Sequence, residues 1–178
     1  MPTPPFKTLS SNTIWSCPYF SVRAAEVTLP NKEQSVYYVM EKNPCVFIVP
    51  ITKEGEIIMI RQYRYAVDDW CWEVPAGGKK DHHSLEETAR EELLEEIGGV
   101  AESIAHLGMF YLSCGTTNEA AHLFVATNVT LGQHHHEPME VIEIHRKPIA
   151  EALELAKSGK VMDGPSALAL LLAERHIR

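Results

Sequence analysis

At 178 residues and a formal net charge of −8, the chain has the length of one domain and the wrong charge for gripping a nucleic-acid backbone, which needs clustered Lys and Arg. No apolar run approaches the roughly 20 residues of a membrane span, and Met1-Pro-Thr-Pro-Pro-Phe lacks the basic region and apolar core of a secretory signal. Cys17, Cys45, Cys71 and Cys114 show no C-x-x-C spacing, so thiols in a reduced cytoplasm are expected rather than a disulfide framework or a zinc site.

In chain order, residues 1–13 are rich in Pro, Ser, Thr and Asn and read as irregular. Tyr19–Val27 and Ser35–Met40, joined at L-P-N-K, carry the β-branched and aromatic content of a strand pair. Cys45–Ile51 and Glu56–Gln62 follow as apolar strands about T-K-E-G, and Trp70–Val74 is a short strand stopped by Pro75. Ser84 with Glu87 three residues on forms a capping box, so a helix is predicted to Ile97, ended by Gly98-Gly99. Its expected packing side is Leu85, Thr88, Ala89, Leu93, Leu94 and Ile97. Ile104–Tyr111, His122–Val129 and Val141–His145 read as strands, and Pro148–Lys157 and Pro165–Glu174 as helices with Pro in the first turn. Strands without strict alternation, crowded around a few helices, predict a mixed sheet between helices. His134–His136 adjoin Glu137 but cannot all face one point, so a solvated loop is expected there.

Chemistry concentrates in G-G-K-K-D-H-H-S-L-E-E-T-A-R-E-E-L-L-E-E-I-G-G, residues 77–99. A glycine turn leads into a helix on which Glu92, Glu95 and Glu96 share one side, because offsets of three and four stack side chains. Like charges so placed call for a cation between them. A hard divalent ion, held jointly by carboxylates and substrate phosphates, meets that need. Such an ion neutralises phosphate oxygens and acidifies a water for attack on phosphorus.

The segment resembles the Nudix box: Gly, five residues, Glu, seven residues, Arg-Glu, an aliphatic, any residue, Glu-Glu, any residue, Gly. From Gly77 the match runs ungapped through Glu92, Leu93, Glu95, Glu96 and Gly98. I-R-Q-Y-R-Y-A-V and W-E-V-P-A-G upstream, F-Y-L-S-C-G-T-T-N-E downstream and G-K-V-M-D-G-P-S near the end resemble the ADP-ribose pyrophosphatase branch. The resemblance implies an α/β/α sandwich with a mixed sheet, residues 1–43 as an N-terminal extension and strand pair, and residues 44–178 as the hydrolase domain. It implies Mg2+ or Mn2+, a homodimer, and hydrolysis of the diphosphate of ADP-ribose or a related nucleoside diphosphate sugar to a nucleoside monophosphate and a sugar phosphate. It assigns Glu92 and Glu96 as principal metal ligands, Glu95 as a third, and the Ala76 carbonyl as completing the set. Glu140, with Glu137 as the alternative, takes the general-base position. Arg64, and less directly Arg61, correspond to diphosphate contacts; Glu73 to a carboxylate near ribose or base; Trp15 to an adenine stack; and Glu119 to an acidic loop site.

Two positions depart from the pattern. His83 stands at the first Glu of the box and Glu91 at its Arg. An imidazolium opposite Glu91 would be the same attraction reversed, so the two are expected to pair. Arg90 offers a neighbouring cation as an alternative partner. The departures also raise the alternative of a catalytically weak or inactive nucleotide-sugar binding or regulatory module.

Overall fold

Eight residues from Cys45 to Thr52 are all buried, which only a strand covered on both faces allows. The computed structural model describes residues 3–135 and 141–177. In chain order the strands are β1 (Lys7–Ser16), β2 (Ser21–Thr28), β3 (Gln34–Glu41), β4 (Cys45–Thr52), β5 (Glu56–Arg64), β6 (Asp69–Glu73) and β7 (Ala76–Gly78). Then come helix α1 (Leu85–Ile97), β8 (Gly99–Val100), β9 (Ser103–Tyr111), β10 (Ala120–Leu131), β11 (Ile142–Pro148), α2 (Ile149–Lys157) and α3 (Gly164–Ala173).

β4 to β11 form one eight-stranded sheet with the path β11-β5-β4-β10-β8; β6 pairs with β5, β7 with β4 and β9 with β10. β4 and β10 run parallel, Cys45 facing Ala121, while β5 and β11 run antiparallel. The sheet is therefore mixed. Side chains alternate across it. Phe47, Val49 and Met59 pack with Ala152, Ala169 and Leu170 of α2 and α3. Ile48, Ile58 and Ile60 pack with Ala89, Leu93 and Ile97 of α1. Helices thus cover both faces, as an α/β/α sandwich requires. Leu94, expected on the packing side of α1, is exposed, and buried Glu92 and Glu96 share that side with the apolar residues.

Residues 3–43 and 111–120 make one compact unit and the remaining described residues a second. The first holds a three-stranded antiparallel sheet, β1-β2-β3. The irregular N-terminus expected from composition is overturned by β1, ten residues long and exposed throughout. Its polar residues pair instead of packing: Ser10 Oγ donates to Glu26 at 3.0 Å, and Arg23 reaches Ser11. The loop after β9 belongs with this unit, since Met40 N donates to Thr116 O at 2.9 Å and Tyr37 Oη to Gly115 O at 3.0 Å.

Candidate active site

The capping box forms as read. Ser84 caps α1, its side chain accepting from Glu87 N, while Glu87 reaches back to Ser84 N at 2.7 Å. The Ser84 backbone and side-chain hydrogen bonds hold the Glu87 carboxyl below its ordinary value. At the other end Gly98 takes φ 64°, where a Cβ would also lie 2.5 Å from Gly132 O. The helix is thereby fixed at both ends, and its acidic side lies along β7. Gly77 lies flush against Glu92, leaving no room for a side chain. Ala76 N donates to Glu96 Oε2 at 3.1 Å. Glu92 and Glu96 are both buried.

Among these carboxylates lies an ammonium that the pattern did not single out. Lys80 Nζ is 2.9 Å from both oxygens of Glu95, 3.4 Å from Glu91 Oε1 and 4.0 Å from Glu92 Oε1. Burial pulls the Lys80 pKa down, but the Glu95 hydrogen bond and the charges of Glu92, Glu95 and Glu91 outweigh it and leave it raised. The available signal was Lys79-Lys80 just ahead of an acidic helix that lacks its usual Arg.

His83 Nδ1 lies 3.0 Å from Glu91 Oε2, so the two expected partners are side by side. Both atoms are shielded and neither makes a hydrogen bond among the described residues, so the contact is one of charge proximity. It is ionic while the imidazole is protonated. Arg90 turns away from Glu91, to Glu86 at 2.9 Å and Ala101 O at 3.2 Å.

Arg64 donates Nε and Nη2 to the buried Glu73 at 2.7 and 2.5 Å. That hydrogen bonding raises the Arg64 pKa, with Asp163 and Glu96 adding to it. The pair lines a cavity of about 520 Å³ with Phe47, Val67, Cys71 and Asp163. Arg61 instead lies over Trp70 and Trp72, 5.6 and 5.9 Å from their ring centroids. In the N-terminal unit Trp15 is half exposed and meets Phe20 at 5.2 Å, and buried Glu119 pairs with Lys42 at 2.8 Å. Glu137 and Glu140 lie outside the described residues. The flanking residues are fastened: His135 N donates to Glu95 O at 2.9 Å, and Tyr63 N to Val141 O at 3.3 Å.

As they stand, no three His, Cys, Asp or Glu side chains among the described residues are set to hold a metal ion. The donor set nevertheless suits a hard divalent ion. Its oxygens converge on a cation, and the 2.9–4.0 Å spacings are those of an ammonium rather than of a metal–oxygen bond near ~2 Å. Lys80 occupies the space among these oxygens.

Comparison with known proteins agrees with the fold and the acidic helix. The NUDIX domain family model matches residues 41–166. The ADP-ribose pyrophosphatase of Bacillus subtilis (strain 168) is 30% identical over 166 residues, 92% of this chain and 90% of the relative. The GDP-mannose pyrophosphatase of Escherichia coli O9:H4 (strain HS) is 28% identical over 182 residues, 92% of each. A solved structure described as an ADP compounds hydrolase superposes with a TM-score of 0.85, at 21% identity, over 99% of this chain and 96% of that one. With the box helix, the glycine turn and the sandwich in place, the chain belongs to the Nudix family.

Proposed function

We propose that this Nudix pyrophosphohydrolase cleaves the diphosphate linkage of ADP-ribose or a related nucleoside diphosphate sugar, releasing a nucleoside monophosphate and a sugar phosphate, with Mg2+ or Mn2+. One observation carries the reading: in a chain of net charge −8, the carboxylates of Glu91, Glu92 and Glu95 already converge on a cation beside the glycine turn. The named activities of the pyrophosphatase relatives support the substrate class.

When bound, the divalent ion supplies neutralisation of the diphosphate and acidifies the attacking water. Glu92 and Glu96, with Glu95 and the Ala76 carbonyl, would hold it. Gly77 keeps Glu92 against the turn, and the Ala76 N–H orients Glu96. Arg64, steadied by Glu73, offers a cation to the diphosphate, and the adjoining cavity receives one end of the substrate. The general base comes from Glu140 or Glu137. Fastening of the flanking residues to Glu95 and Tyr63 supports a base from that segment. The exposed apolar residues of β1 and β3 support a homodimer, and the four free cysteines support a reduced, cytoplasmic setting.

The test is a panel of ADP-ribose, other ADP- and GDP-sugars, diadenosine polyphosphates and NADH, each with Mg2+, Mn2+ or chelator and products identified by mass. AMP and ribose 5-phosphate are expected only with metal, abolished by Glu96→Gln with the fold retained and reduced by Glu140→Gln or Glu137→Gln. A second reading, a binding module without turnover, draws on Lys80, His83 and Glu91 in the box. Tight binding without product across the panel would establish it instead.

A further inference from the structure

We propose that Lys80 is a tethered counter-ion that holds the Glu91, Glu92 and Glu95 carboxylates in the metal-free protein and is displaced when a divalent cation takes them. The inference rests on the metal-dependent reading above and concerns what the ion must evict.

Lys80 is built into this position. It sits on the loop between β7 and α1, whose backbone is held by Lys79 N to Pro44 O at 2.7 Å and His83 N to Lys80 O at 3.3 Å. The loop is fixed, and the long aliphatic stem is the part with rotamers to spare. Its ammonium engages both Glu95 oxygens at 2.9 Å while lying 3.4 Å from Glu91 and 4.0 Å from Glu92. A dication drawing on Glu92 and Glu95 therefore meets a positive charge that already uses the same oxygens. The two cannot share them without strong mutual repulsion. Arg90 does not compete, being committed to Glu86 and Ala101 O. Where the family pattern places an arginine on the helix, this chain has Glu91 there and a lysine on the loop, so the cation has moved onto a retractable arm.

The arrangement predicts a threshold. Carboxylates that would repel one another without metal are kept together by Lys80, and the ion binds more weakly than it would to the bare cluster. Removing one unit charge roughly 4 Å from a dication should tighten binding about tenfold after solvent and salt screening.

Two measurements on the 178-residue chain test this. In the first, Mn2+ is titrated into metal-stripped wild type, Lys80→Met, Lys80→Arg and the remote control Lys157→Met, followed by electron paramagnetic resonance without substrate. Lys80→Met should bind Mn2+ about tenfold more tightly, with Lys80→Arg and Lys157→Met close to wild type. In the second, which needs no variant, lysines are acetylated with acetic anhydride with or without Mg2+ and quantified by mass. Acetylation of Lys80 should accelerate severalfold with Mg2+ while Lys157 is unchanged. If wild type binds Mn2+ but Lys80→Met binds no more tightly and Lys80 reactivity is indifferent to Mg2+, the counter-ion role is overturned while the metal-dependent reading stands. If wild type binds no divalent ion, both fall.

Discussion

Gly77 has no side chain and has no room for one: a Cβ there would lie 2.1 Å from the Glu92 carboxyl carbon and 2.3 Å from each of its oxygens. Gly77→Ala is expected to push Glu92 out of the cluster while leaving the sheet intact. With Glu92 in the proposed ligand role, a displacement of an ångström costs on the order of a hundredfold in rate, so kcat on the preferred nucleotide sugar should fall by about that factor. The circular dichroism spectrum should be unchanged. At this scale one pairing was legible in the sequence. The ungapped register put His83 opposite Glu91, and they lie 3.0 Å apart. Lys80 was not singled out, because nothing in local spacing says that a loop lysine will fold back over a helix fifteen residues on. That contact is made by tertiary structure alone. The demand for a cation among the glutamates was readable; the chain's own answer to it was not.

The helix is the element that carries the site, and its start is a local affair. Ser84→Ala removes an acceptor for Glu87 N and should cost about 1 kcal/mol, or roughly 2–4 °C in Tm, by thermal denaturation. The Glu87 carboxyl is held below its ordinary value of 4.5, so its contribution is fully present above that pH and is lost as pH falls through the lowered folded value. Glu87→Gln should therefore flatten the acid limb of the stability profile, bringing variant and wild type together at low pH. Boundaries of β2 to β5 and of α1 were close to those expected, since buried apolar runs and a capping box are local signals. β1 carries no such signal. K-T-L-S-S-N-T-I-W-S buries nothing, so it has no apolar periodicity to read, and only pairing with β2 makes it a strand. β7 and β8 are only three and two residues long, below any pattern.

At the scale of the molecule, the unit that holds residues 3–43 also takes in residues 111–120, which cluster with the N-terminal sheet. That sheet shows Ile14 at 57%, Trp15 at 51% and Tyr38 at 58% exposure. The proposed homodimer would cover part of this surface. Ile14→Lys combined with Tyr38→Lys is expected to shift the protein from dimer to monomer in sedimentation velocity. A wild type that sediments as a monomer would sink the dimer proposal outright.

The parallel pairing of β4 with β10 also fixes when the acidic helix can come to rest. Its register joins Cys45 to Ala121, so β5, β6, the glycine turn and all of α1 lie inside the chain segment that this pairing closes. Closing so long a loop draws its entropy cost before any contact rewards it, which makes such pairings slow. The carboxylates can gather early along the helix, but their seat against the sheet is not complete until β10 arrives from far downstream. A nascent chain released before β10 emerges would carry the whole box and yet lack its finished platform.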